Sequence, residues 1–157
     1  MTSAIRGAGA VALMVLAVGC ASAPGMQRMV LSATLTGLQE VPGPGDPDGT
    51  GTAQVRVDPA GGRLCWDVYA RGIGAATAAH IHRAAAGSAG PPVVPLATPG
   101  ADGHSEGCAA IDPGLAREMA LQPYDFYVNV HDSAFPAGAI RGQLRGRLTP
   151  NRRQAGR

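Results

Sequence analysis

Histidine is scarce in this chain, with four among 157 residues. Two of them, His80 and His82, stand two apart in Ala78-Ala79-His80-Ile81-His82-Arg83, and a third closes Tyr127-Val128-Asn129-Val130-His131. Neutral imidazole suits copper and zinc, and three protein ligands with one open position make an ordinary mononuclear binding or catalytic centre. The same rings, with Asn129 and Arg141, can instead form a polar network that pins strands together beneath a loop. The residues leave both readings open. His104 is a further possible ligand, but its loop-like setting fixes nothing. Asp46 and Asp48 are too few carboxylates for calcium and read as a solvated turn. Ser105, between His104 and Glu106, lacks the strand-turn-helix setting of an activated serine.

The elements that must carry these groups are strands. Alternating stretches separated by turn residues every eight to twelve positions predict a β-sandwich or barrel. The strands are expected in MVLSATLTGL, GTAQVRVD, GRLCWDVYA, TAAHIHR, Val93 to Leu96, HSEGCAAI, YDFYVNVHD and GAIRGQLRGRL. One short helix is expected after Asp112, with Pro113 at its first position and Pro123 as its stop. Successive side chains of a strand point to opposite faces. Ile81, Val128 and Val130 then face the core, and His80, His82, Asn129 and His131 leave it on a common side. Ile140 and Leu144 face the core likewise, with Arg141 and Gln143 on the polar side near Asn129. Arg141 is expected to pair with Asp132 or to join the strand network. Trp66 is expected to fill the core and to cover a cysteine bridge.

Composition narrows the partners. The net charge is only +2 and the arginines are scattered, so nothing marks a nucleic-acid surface. The opening MTSAIRGAGAVALMVLAVGCASAPG has one early arginine and an apolar run from Ala8 to Val18, the layout of a secretory signal. Leu16-Ala17-Val18-Gly19-Cys20 resembles the bacterial lipobox, so residues 1–19 are expected to be removed and Cys20 to be lipidated. Residues 20–28 then form a tether, 29–149 the domain and 150–157 a disordered tail. That arrangement implies a bacterial cell-envelope protein held on the membrane by its N-terminal lipid and facing periplasm or exterior, or else a secreted one. Cys65 and Cys108 remain, and an oxidising compartment favours a disulfide between them. Closing a loop of about 40 residues stabilises by about 3 to 4 kcal/mol in the chain-entropy picture.

Three blocks, LSATLTGLQEVPGPGDPDGTGTAQVRV, AAHIHRAAAGSAGPPVVPL and YVNVHDSAFPAGAIRGQL, resemble the CHRD domain family from Leu31 to Leu148. The resemblance implies an all-β, immunoglobulin-like antiparallel sandwich or barrel, similar in shape to the barrel of copper/zinc superoxide dismutase. It implies no established enzymatic activity. It also aligns Glu40 with a polar position of the first block, within reach of the Asn129 and Arg141 network. Where the family shows a glutamate before Ile-Arg-Gly-Gln, this chain has Ala139. A dinuclear dismutase centre is not expected, because the stretch from Arg83 to Gly103 has no histidine and only Asp102 as a carboxylate. The expectation is an envelope-anchored binding or structural module of unknown protein or small-molecule ligand. The alternative is a protein or metalloenzyme that binds one copper or zinc ion through His80, His82 and His131.

Overall fold

A computed structural model describes residues 28–147. The expected signal peptide, Cys20, the tether up to residue 27 and the tail all lie outside the described residues. The alternating segments fold as strands β1 (Met29–Thr36), β2 (Thr50–Asp58), β3 (Arg63–Arg71), β4 (Ala76–Arg83), β5 (Pro92–Leu96) and β6 (His104–Ala110). Helix α1 (Pro113–Leu121) follows, and then β7 (Phe126–Asp132), β8 (Ile140–Gln143) and β9 (Arg145–Arg147). All pairings are antiparallel, in the order β5-β4-β7-β8-β1-β2-β3-β6, with β9 added alongside β1. This is one continuous sheet rolled into a nearly closed barrel, rather than two separate sheets of a sandwich.

Closure follows from the alternation. Leu31, Val55, Leu64, Val68, Ile81, Val128, Val130 and Ile140 are each no more than 1% exposed and fill the interior. Each such side chain contributes about 1.5 to 3 kcal/mol through removal from water. The two ends of the sheet meet through Ser105, whose Oγ donates to the Ala97 carbonyl at 2.6 Å and accepts from Trp66 Nε1 at 3.1 Å. Trp66 is buried against Gly107, where an added Cβ would lie 2.4 Å from the indole. The Cys65–Cys108 disulfide forms between directly paired positions of β3 and β6. Trp66 does not cover it, contrary to expectation. Neighbours in a strand point to opposite faces, so the indole goes inward and the bridge lies on the outer surface.

Helix α1 begins as expected, with Asp112 accepting from the Leu115 N–H and Pro113 in the first turn. Ala116 and Met119 bury its inner side, and Glu118 pairs with Arg83 at 2.6 Å, which ties the helix to the end of β4. It is the only α-helix among the described residues, and none of their helices is long and apolar enough to cross a membrane.

Candidate metal centre

Register decides which side chains meet. Strand β4 pairs with β7 so that Ala78 faces His131, His80 faces Asn129 and His82 faces Tyr127. Strand β8 continues the rows, placing Arg141 beside Asn129 and Gln143 beside Tyr127. Directly opposed side chains sit about 5 Å apart at Cβ. Ala78 offers almost no bulk to its partner, so the His131 ring leans toward His80. The rings of His80 and His131 lie edge to face with centroids 5.3 Å apart, and His80 and His82 do so at 5.5 Å.

The three imidazoles converge. One ring nitrogen from each of His80, His82 and His131 lies within 4.8 Å of the other two. Hydrogen bonds occupy the other nitrogen of two of these rings. His82 Nδ1 is 2.9 Å from the Gly90 carbonyl, and His131 Nδ1 is 3.1 Å from the Pro136 carbonyl. A carbonyl only accepts, so both Nδ1 atoms carry a hydrogen and Nε2 is the nitrogen each ring has left to offer a metal. Anchoring of this kind orients metal-binding histidines. His82 Nε2 is buried without a partner, whereas His131 Nε2 lies 3.3 Å from His80 Nδ1.

The Gly90 carbonyl depends on its own residue type. A Cβ at position 90 would lie 1.9 Å from the Arg83 carbonyl, so only glycine lets residues 84–91 fold back over β4. That loop covers His82, whose ring stacks on Tyr127 at 4.8 Å and an interplanar angle of 11°. The Arg141 guanidinium lies 3.4 Å from the Tyr127 ring centre.

Electrostatics favour neutral rings. Burial is the main cause holding His80 and His82 below the ordinary histidine value, and proximity to His131 adds to it for both. Arg141 lowers His82 further. A neutral imidazole is the form that ligates metal.

Glu40, Asn129 and Arg141 form a second polar group beside the histidines. All three are buried, and Asn129 Nδ2 donates to Glu40 Oε2 at 3.4 Å. Arg141 donates to the Ala85 carbonyl at 3.2 Å, and Gln143 donates to the Ala84 carbonyl at 2.8 Å, so both hold the covering loop. Arg141 does not pair with Asp132, contrary to one expectation for it. Asp132 is taken up locally, accepting from the backbone N–H groups of Gly74 and Phe135 at 2.8 and 2.7 Å. Burial raises Glu40 from 4.5 to about 7, against the opposing pull of Arg141.

The Glu40 carboxylate occupies space that glycine leaves open. A Cβ at Gly138, whose φ is +150°, would lie 2.5 Å from Glu40 Oε2. Glu40 therefore supplies a carboxylate beside Gly138 and the neighbouring Ala139. The network is not internally satisfied. Glu40 Oε1, Asn129 Oδ1, Arg141 Nη1 and Gln143 Oε1 are buried with no hydrogen-bond partner in the protein, as is His82 Nε2.

The structure thus brings together His80, His82 and His131 on the one hand and Glu40, Asn129 and Arg141 on the other. It keeps His104 apart, on the far edge strand β6, where His104 Nε2 meets Asp67 Oδ1 at 3.2 Å. Sequence reasoning missed Tyr127 and Gly90 as parts of the site. Strand parity already placed Tyr127 on the histidine face, but a backbone carbonyl supplied by a loop leaves no mark in a pattern of side chains.

A small antiparallel barrel with a polar, histidine-bearing patch under a loop defines a binding or structural module. The chain belongs to the CHRD domain family, whose model matches residues 31–144. Neither a curated protein nor a solved structure matches the chain.

Proposed function

We propose that this protein is a cell-envelope module that binds a single copper or zinc ion through His80, His82 and His131. The observation that carries the reading is the convergence of three imidazole nitrogens within 4.8 Å. Two of those rings are pre-aimed by backbone carbonyls, and the burial that keeps His80 and His82 neutral suits them as ligands. All-nitrogen donors match copper and zinc rather than calcium or magnesium. Arg141 and Gln143 seat the covering loop, and Glu40 and Asn129 complete the polar clasp beside them. On this reading the protein binds rather than catalyses. The lipid on Cys20 holds it at a bacterial membrane, facing periplasm or exterior.

The test uses full-length protein extracted from the membrane fraction. Elemental analysis is expected to find one copper or zinc per chain, or titration to load one. At a free metal concentration about 100 times Kd, loading stabilises by about 2.7 kcal/mol, read as a rise in Tm. His82→Ala is expected to abolish the rise and His104→Ala to keep it. An unchanged Tm with no bound metal would leave the barrel as a structural or binding module without an ion.

A further inference from the structure

A groove of about 780 Å³ lies away from the histidines, on the outer face of β1, β2 and β3. That is the size range of small-molecule sites. Register lays out its floor in two rows. Thr34 pairs with Thr52 and Thr52 with Tyr69, while Ser32 pairs with Gln54 and Gln54 with Asp67. Arg145, opposite Ser32, closes one end, and Asp67 stands at the other. The centre of the floor is thus hydroxyl and amide, and its two charges oppose one another.

One aromatic ring stands in this polar field. Tyr69 is 42% exposed and stacks on His104 with ring centres 4.4 Å apart and an interplanar angle of 12°. His104 is in turn held by Asp67 at 3.2 Å. An exposed tyrosine braced from behind is a rigid flat platform that costs little ordering when a ligand stacks on it. Amide, hydroxyl and carboxylate groups alongside offer donors and acceptors in alternation.

We infer that this groove binds a neutral saccharide chain, with one sugar ring stacked on Tyr69 and its hydroxyls bonded to Thr52, Gln54 and Asp67. The floor carries too little apolar surface for a lipid or an amphipathic helix. Its balanced charge offers nothing to a polyanion. A polyhydroxylated ring with one apolar face satisfies both the platform and the polar rows. This inference is independent of metal binding, since no proposed metal ligand lines the groove.

The experiment titrates full-length, isotopically labelled protein in detergent with cellohexaose, chitohexaose and maltohexaose at millimolar concentration, followed by amide NMR shifts. At least one sugar is expected to shift Thr34, Thr52, Gln54 and Tyr69 while leaving the amides of β4 and β7 in place. Tyr69→Ala and Gln54→Ala, each confirmed as folded by its spectrum, are expected to weaken binding about tenfold or more. Leu121→Ala, exposed on the helix, is expected to bind as wild type. Absence of shifts with all three sugars, shifts centred elsewhere, or unchanged affinity in both groove variants would overturn the inference. So would groove shifts that depend on protein concentration alone, which would make the face a contact between two copies of the chain.

Discussion

Glu40→Gln tests the clasp by its pH dependence. Glu40 is buried and its carboxyl is raised from 4.5 to about 7, with burial outweighing the favourable pull of Arg141. A group whose proton is held more tightly in the folded state favours folding at low pH and opposes it once ionised. Below pH 4.5 the carboxyl is protonated in both states and costs nothing. Between 4.5 and about 7 the folded chain holds a proton that the unfolded chain releases, so stability falls as pH rises. Each tenfold difference in proton affinity is worth about 1.4 kcal/mol, which sets a ceiling of about 3 kcal/mol on the loss above pH 7. Glutamine keeps the shape and the acceptor for Asn129 but cannot ionise. The assay is urea unfolding of wild type and Glu40→Gln, with a metal chelator present, across pH 4 to 8. The difference between the two proteins cancels every other titrating group, including the histidines. The variant is expected to gain on wild type by about 2 to 3 kcal/mol between the two ends of that range. A flat difference, or one that favours wild type as pH rises, would refute the reasoning and mean that the Arg141 attraction dominates.

Two further outcomes follow from other parts of the barrel. His80 and His82 are expected to titrate below 6.5 by ring-proton NMR of metal-free protein, so stability they govern falls as pH drops through 6.5; midpoints above that value would contradict the burial argument. Replacing Cys65 and Cys108 together by serine releases a link across 43 positions and is expected to cost about 4 kcal/mol in urea unfolding, and a loss under about 1 kcal/mol would show that the unfolded chain gains little freedom.

Much of this site was readable because a strand has a period of two. Ile81, Val128 and Val130 fix which way β4 and β7 face, and the histidines follow without further information. The disulfide was readable from the cysteine count together with the expectation of an oxidising compartment. What the pattern could not carry was loop geometry. Pairing with Asp132 was one of two expectations for Arg141, yet Asp132 is consumed by turn N–H groups and Arg141 reaches the loop beyond β4. The error over Trp66 was of another kind: parity alone already set it and Cys65 on opposite faces. Glu40 joins Asn129 across 89 positions. No local period links residues so far apart, and only the family resemblance placed it there.

The disulfide also bears on how the open sheet is terminated. Strands β5 and β6 are the two ends of the path, and each would otherwise offer unpaired backbone groups to another molecule. Strand β5 is blunted by Pro92 and Pro95, which have no N–H to donate. Strand β6 has no proline, but the bond from Cys108 to Cys65 locks its register on β3. One edge is thus blunted by chemistry within a residue, and the strand at the other is riveted covalently to its neighbour. Oxidation therefore protects against strand exchange between neighbouring copies, a hazard that grows where chains crowd together.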